Sequence, residues 1–198
     1  MSILAGHTLL AVDTETTGMS PADGHRLVEV AHVPIVGGEL AEGWSSLLQP
    51  GRAIPPDATR VHHITDAMVA QAPPAAEVAR TLRTACADLP LVFHNAPFDL
   101  PFLIALFREA GAPMLLNPIV DTLGLARGLY GSGSNSLGAL ATRLALPAET
   151  AHRALGDART TARLFVRLAA LWQDQKGVRG LAELAAVSQD VMRTTARR

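Results

Sequence analysis

Apolar residues along the chain form short runs separated by turn-forming segments. The run from residue 8 to 12 is apolar after its first threonine, as expected of a strand buried on both faces of a sheet. Two further runs, at about 26–36 and 39–48, flank Gly37-Gly38 and predict a β-hairpin. Pro34 predicts a bulge or an early end in the first of these strands, because proline cannot donate to a β ladder.

The pattern changes after residue 50. Residues 50–63 are punctuated by proline and predict a loop, and residues 65–71 predict a short helix. The remaining patterns predict strands at 91–93 and 119–120, and helices at about 75–87, 97–110, from 122, 136–145, 155–172 and 179–193. A hairpin followed by strands that alternate with helices predicts an α/β domain with a mixed sheet.

Four acidic residues stand where buried positions are expected. Asp13 and Glu15 follow the first strand at spacing i, i+2, so extended geometry places both side chains on the same side of the sheet. Asp99 and Asp157 each lie near the start of a predicted helix, on its apolar face. One such acid alone is equally well explained as a helix cap, but four together favour a shared site with a compensating cation. Oxygen ligands without Cys or His suit Mg²⁺ or Mn²⁺.

His152 precedes Asp157 by five residues, on the segment that leads into the predicted helix. Imidazole exchanges a proton near neutral pH, which makes His152 a candidate general base. A lone histidine is more often structural, and the position beside a predicted metal ligand is what favours the catalytic interpretation.

The charge of the chain is balanced overall but uneven along its length. Seventeen basic and 18 acidic residues give a formal net charge of −1. This balance argues against binding of polyanions by bulk positive charge, but not against nucleic acid held at one small site. Residues 153–198 carry nine basic and four acidic residues. That basic segment is either a solvated helix face with a basic tail or a flank that faces phosphates.

Cysteine content and hydropathy indicate the cellular compartment in which the protein is expected. Cys86 is the single cysteine, which excludes an internal disulfide framework and fits a reducing environment. No apolar run reaches the ~18 residues that a membrane span needs. We therefore expect a cytoplasmic protein without a membrane partner.

Three motifs carry a family resemblance. They are Asp13-Thr14-Glu15-Thr16-Thr17-Gly18, His94-Asn95-Ala96-Pro97-Phe98-Asp99 and His152-Arg153-Ala154-Leu155-Gly156-Asp157. Each is weak alone, but in this order they resemble the three exonuclease motifs of the DEDDh 3′→5′ exonucleases. The resemblance runs from about residue 8 to 171, and is greatest to the exonuclease domain of the epsilon proofreading subunit of bacterial DNA polymerase III.

The resemblance implies a ribonuclease-H-like fold, which is an α/β fold with a five-stranded mixed sheet flanked by helices. Residues 1–175 would form the exonuclease domain, and residues 176–198 a C-terminal helix and basic tail.

The resemblance also assigns site residues. Two divalent metal ions, Mg²⁺ or Mn²⁺, would be held by Asp13, Glu15, Asp99 and Asp157, and His152 would deprotonate the attacking water. Thr16 and Gly18 would pack against the terminal nucleotide. The pocket for its sugar and base would be lined by His62, His94 and Phe98, with a core position as the alternative for Phe98.

The implied function is a metal-dependent 3′→5′ exonuclease that releases nucleoside 5′-monophosphates from single-stranded or mismatched DNA ends, in proofreading or repair. The resemblance suggests a DNA polymerase subunit as a partner, and single-stranded 3′ ends as the substrate, with DNA favoured over RNA. One alternative is a stand-alone exoribonuclease that trims RNA ends in the manner of ribonuclease T. Another is an inactive relative kept as a nucleic-acid-binding or interaction module.

Overall fold

The computed structural model describes residues 1–131 and 133–196. Its strands are β1 (Thr8–Thr16), β2 (Leu27–Val36), β3 (Glu39–Leu40), β4 (Trp44–Leu47), β5 (Leu91–Phe93) and β6 (Ile119–Asp121). Its α-helices are α1 (Pro56–His62), α2 (Asp66–Val69), α3 (Ala75–Cys86), α4 (Ala96–Glu109), α5 (Thr122–Tyr130), α6 (Leu137–Arg143), α7 (Ala154–Lys176) and α8 (Leu181–Ala196). The predicted helices after residue 64 are all present within a few residues of their expected bounds. Arg197 and Arg198 of the expected basic tail lie outside the described residues.

The strands form the expected mixed sheet. Their order is β3-β2-β1-β5-β6, with β4 also paired to β2. The β1–β2 pair is antiparallel, whereas β1–β5 and β5–β6 are parallel. The predicted strand at 39–48 is interrupted, so β3 and β4 share one position beside β2. The sheet therefore has six strands in five positions.

Pro34 lies within a continuous β2, so the expected bulge or early strand end at this residue is wrong. β3 pairs with Ile35 and Val36, and β4 pairs with residues 29–32. Pro34 stands opposite the gap between them, and its carbonyl accepts a hydrogen bond from the Ala41 amide at 2.9 Å. The missing N–H of the proline thus falls where no ladder partner is present.

The expectation that residues 50–63 form only a loop is also wrong, because α1 lies within them. Pro56 is the first residue of this helix, where an amide hydrogen would have no helical partner, so proline is tolerated there. The helix ends at His62, and the next residue, His63, has a left-handed φ of 61°.

Two hydrophobic layers cover the sheet, and alternation along β1 decides which side chain enters which layer. Leu9 and Ala11 pack in the layer that contains Ala158, Ala162 and Phe165 of α7. The next residues along, Leu10 and Val12, pack in the opposite layer with side chains of α3 and α4, including Leu82, Phe102 and Phe107. Odd-numbered residues of β1 therefore face α7.

In the described ranges, 1–131 and 133–196, no helix is long and apolar enough to cross a membrane.

Helix α8 packs closely on α5 at Gly124. A Cβ built on Gly124 would lie 2.2 Å from the carbonyl oxygen of Ser188. Backbone atoms cannot move aside cheaply, so Gly124→Ala should displace α8 and lower the free energy of unfolding by about 1–3 kcal/mol. Urea denaturation measures this loss.

Gly138→Ala is the matched control for Gly124→Ala. Gly138 lies in α6, and a Cβ there meets nothing within 4 Å. The control should be neutral or stabilising by about 0.4–1 kcal/mol, because alanine restricts the unfolded chain. Equal stability of Gly124→Ala and the wild type would contradict the close contact between α5 and α8.

Candidate active site

Three of the predicted ligands meet at one end of the sheet. Asp13 and Glu15 lie at odd positions of β1, on the face covered by α7. Asp157 lies in the first turn of α7. One carboxylate oxygen from each residue lies within 4.8 Å of those of the other two. The structure thus groups side chains that are separated by more than 140 positions in the sequence.

Asp99 adjoins this group but is not part of it. It lies in the first turn of α4, is 4% exposed, and accepts a hydrogen bond from the Thr14 hydroxyl to its Oδ1 at 2.7 Å. Its negative charge helps to raise the pKa of Asp13, which places the two carboxyls near one another. The assignment of Asp99 as a metal ligand stays a prediction.

Burial and mutual repulsion make the grouped carboxyls weak acids. Burial raises the pKa of Asp13 well above its ordinary value, and the charges of Asp99, Asp157 and Glu15 raise it further. Burial, with Asp157 and Glu29 as the main repelling charges, raises the pKa of Glu15 to about 8. The pKa of Asp157 is raised chiefly by burial. Without a cation, the site therefore favours protonated carboxyls.

His152 lies at the rim of the carboxylate group. Its side chain is exposed, its φ is 57°, and its backbone N–H donates to Asp157 Oδ2 at 2.9 Å. A left-handed conformation is uncommon for a residue with a Cβ and indicates a constrained loop. Its predicted function as a base is compatible with this exposed position beside Asp157, and stays a prediction.

Glu29 is a site residue that was not expected from the sequence. This residue lies directly opposite Glu15 in the β1–β2 ladder and is 3% exposed. Its Oε1 accepts from Arg153 Nη2 at 2.7 Å, and its Oε2 accepts from Arg153 Nε and from the Ala154 amide, both at 3.0 Å. The available signal was that Glu29 is the one charged residue within the apolar β2 sequence LVEVAHVPIV.

The structure places His62 next to the loop that follows Glu15. The Ile64 amide donates to His62 Nδ1 at 3.0 Å, so the ring hydrogen resides on Nε2. Burial lowers the pKa of His62, and the backbone of Thr16 has an opposing influence, which places the ring near that loop. His62 is thus a neutral imidazole.

Thr16, the last residue of β1, and Gly18 belong to a tightly folded segment. The Thr16 hydroxyl donates to the Gly18 carbonyl oxygen at 2.6 Å. A Cβ at Gly18 would lie 2.3 Å from the His25 ring, so the absence of a side chain permits this approach. Nothing in the fold tests their predicted contacts with a nucleotide.

His94 and Phe98 have partners within the protein. His94 Nδ1 lies 2.9 Å from the Thr122 hydroxyl, and burial lowers the pKa of His94 to about 4. The Phe98 ring is half-buried and lies 5.7 Å from that of Phe102, between centroids. This contact agrees with the core alternative for Phe98, while the substrate contacts of both residues stay predictions.

Three arginines of the basic segment that lie directly before α7 or in its first half are engaged by carboxylates. Arg153 pairs with Glu29, whereas Arg159 and Arg163 both pair with Glu149, and Arg163 also donates a hydrogen bond to it. These side chains therefore support the interpretation of the segment as a helix face with internal ion pairs, rather than a flank of unpaired cations facing phosphates.

The donor set fits hard divalent cations. Asp13, Glu15 and Asp157 offer only carboxylate oxygens, which Mg²⁺ and Mn²⁺ prefer. Burial first, and mutual repulsion second, raise their pKa values, and a bound cation would offset both costs of the ionised form. Arg153 lowers the pKa of Glu15, but its guanidinium is already engaged by Glu29.

The metal-free protein should lose stability as the pH rises from about 5 to about 8. Burial raises the pKa of Asp99 to about 7 and, together with nearby charges, that of Glu15 to about 8. The folded carboxyls then hold protons that the unfolded chain has already released, so each increase in pH favours unfolding. The melting temperature in EDTA measures the decline, and added Mn²⁺ should raise it more at the upper end of this range than at the lower.

Glu15→Gln provides the control for this pH dependence. Glutamine cannot release a proton, so the decline in melting temperature should be shallower than in the wild type. The same slope in both proteins would contradict the raised pKa of Glu15.

Comparisons with known proteins agree with this geometry. Residues 10–165 match the family model described as Exonuclease. A DNA polymerase III subunit epsilon-like protein of Rhodobacter capsulatus is 42% identical over 189 residues, which is 93% of this chain but only 26% of that relative. The DNA polymerase III subunit epsilon of Treponema pallidum is 35% identical over 170 residues, covering 84% of this chain and 79% of that subunit.

Solved structures share the fold. Exonuclease X in complex with 5′ overhanging duplex DNA has a TM-score of 0.71 and 29% identity, covering 91% of this chain and 99% of that one. A nuclease domain described as a DEDDh family member bound to rAMP has a TM-score of 0.71 at 15% identity, covering 88% and 94%, which supports the fold alone. By its family match and its relatives, the chain belongs to the exonuclease family.

Proposed function

We propose that this protein is a metal-dependent 3′→5′ exonuclease acting in the cytoplasm on single-stranded or mismatched DNA ends, in proofreading or repair. The observation that carries the proposal is the convergence of Asp13, Glu15 and Asp157 in a chain that matches the exonuclease family. The products are nucleoside 5′-monophosphates and a strand shortened by one nucleotide.

Four carboxyls would hold the cations. Asp13, Glu15 and Asp157 would supply the shared oxygen ligands, with Asp99 beside Asp13 as a fourth. Two divalent ions, when bound, supply Lewis acidity that stabilises the negative charge of the entering and leaving oxygens. The three grouped carboxyls are partly shielded from water, which strengthens every interaction with that charge.

His152 would act on the attacking water. Its exposed imidazole takes the proton as the water oxygen forms a bond to the phosphorus atom of the terminal phosphodiester. The bond between phosphorus and the 3′-oxygen of the preceding nucleotide breaks, and that oxygen takes a proton from solvent to become the 3′-hydroxyl of the shortened strand. The His152 amide, bonded to Asp157 Oδ2, keeps this base next to a ligand carboxylate.

The terminal nucleotide would be bound by residues near the end of β1. Thr16 and Gly18 present the loop after Glu15, while His62 lies next to it as a neutral ring. His94 and Phe98 lie at the start of the segment that carries Asp99. We assign DNA rather than RNA as the substrate, and a DNA polymerase subunit as a partner, because the Treponema pallidum and Rhodobacter capsulatus relatives are named after polymerase III epsilon.

One nuclease assay tests the proposal. Purified protein with Mg²⁺ or Mn²⁺ is given single-stranded, mismatched and fully paired 3′ ends, each in matched DNA and RNA versions. We expect release of 5′-monophosphates, fastest from single-stranded and mismatched DNA. Faster digestion of RNA would instead indicate an exoribonuclease, since the 2′-OH would then fit the pocket. Intact substrates under all conditions would contradict the proposed activity.

A further inference from the structure

Glu29 ties the segment that carries His152 to the sheet. Both of its carboxylate oxygens are used, and their three donors come from two consecutive residues, Arg153 and Ala154. Ala154 is the first residue of α7, so the carboxylate also satisfies an amide at the start of the helix. Glu29 therefore fixes both a side chain and the backbone directly after His152.

His152 lies directly before the two anchored residues. Its side chain is exposed and its backbone adopts a left-handed φ of 57°. Its amide bonds to Asp157, which itself belongs to α7. The direction in which the imidazole leaves the chain is thus set by the short stretch from residue 152 to 154.

We infer that Glu29 and Arg153 are positioning residues, which hold His152 and the start of α7 at a fixed distance from Asp13 and Glu15. The inference rests on the proposed exonuclease function. Glu29 is placed for this purpose by the β1–β2 register, which sets it directly opposite Glu15 on the face covered by α7. The bidentate contact from Arg153 restricts orientation as well as distance, which a single hydrogen bond would not.

A purely electrostatic function for Glu29 is the competing explanation. Glu29 raises the pKa of both Glu15 and Asp13, so it also adds negative potential that attracts cations. Arg153 opposes that potential at Glu15. The two explanations predict different results when Arg153 loses its charge. The electrostatic explanation predicts stronger cation binding. The positioning explanation predicts that His152 is misplaced.

Glu29→Gln, Arg153→Gln and the double variant separate these explanations. At saturating Mn²⁺, positioning predicts that kcat falls by about 10–100-fold in each single variant, with KM within about threefold of the wild type. The double variant should be no slower than the slower single variant, because both changes break one contact. Arg153→Lys should remain slow, since lysine keeps the charge and loses the planar fork.

Glu149→Gln is the matched control. Glu149 also pairs with arginines of α7, Arg159 and Arg163, and is partly buried. Its kcat should stay within about twofold of the wild type, because its partners lie further along the helix than Asp157. A loss as large as that of Glu29→Gln would overturn the specific assignment to Glu29.

Hydrogen–deuterium exchange of metal-free protein gives a readout that needs no activity. Amides from 152 to 156 should exchange faster in Glu29→Gln and Arg153→Gln than in the wild type and Glu149→Gln. Unchanged exchange in the two variants would overturn the positioning assignment, and so would a wild-type kcat at saturating Mn²⁺. An inactive wild type with faster exchange in the two variants would contradict the exonuclease function, while leaving the anchor itself supported.

Discussion

Replacing Asp13 by asparagine should abolish cleavage while leaving the metal-free protein at least as stable as the wild type. Asp13 is surrounded by the charges of Asp99, Asp157 and Glu15, all of which raise its pKa. Removing one carboxylate weakens cation binding and forfeits several kcal/mol of charge stabilisation, which corresponds to a loss of about 10³-fold or more in kcat. The same change relieves repulsion in the metal-free fold.

Two measurements check this expectation. Single-turnover cleavage with Mn²⁺ reports the loss of rate, and the melting temperature in EDTA reports the stability. Asp174→Asn, an exposed aspartate on the same helix as Asp157, is the control and should match the wild type in both. A markedly lower melting temperature for Asp13→Asn in EDTA would show that Asp13 supports the fold rather than a cation.

His152→Ala should reduce kcat by about 10²–10⁴-fold, because the attacking water loses its proton acceptor. Mn²⁺ binding should survive, since Asp13, Glu15 and Asp157 are untouched. The rate is measured at saturating substrate, and Mn²⁺ affinity by titration calorimetry.

His63→Ala is a close control for His152→Ala. Both histidines are exposed and both have a left-handed φ, 61° for His63 and 57° for His152. The backbone cost of the substitution is therefore similar, and only the change at residue 152 should affect the rate. Wild-type kcat in His152→Ala would remove this histidine from the reaction.

The parts of the site that follow from local geometry could be predicted from the sequence. Asp13 and Glu15 share a face because alternation along a strand needs only the strand itself. Asp157 enters the same group because an acid at the start of an amphipathic helix faces the layer that the helix covers. The order of helices and strands after residue 64 is predictable for the same reason.

The parts that depend on distant partners could not be predicted. A glutamate between two valines in β2 does not indicate which residue it pairs with. The burial of Glu29 is explained only by its contact with Arg153, which is 124 positions away in the sequence. The expectation for Pro34 is wrong because the proline is accommodated by the gap between β3 and β4. That gap lies beside β2 and cannot be inferred from the sequence of β2 itself. Pro55-Pro56 is typical of a loop, yet Pro56 begins a helix, because the fixed φ of proline is compatible with both structures.

Because of the β1–β2 register, the site should tolerate a change of chain length in the connection between the two strands but not within β2. Asp13, Glu15 and Glu29 point to the same face because the two strands stay in step from residue 8 to residue 15. An insertion between residues 20 and 24 lengthens a connection outside the ladder, beyond Thr16 and Gly18, and leaves that register intact. One residue added inside β2 would instead turn the Glu29 side chain to the opposite face of the sheet, toward α3 and α4. The neighbouring valines would then face the carboxylates. Natural or engineered length variation is therefore permitted in the connection, and forbidden a few residues later.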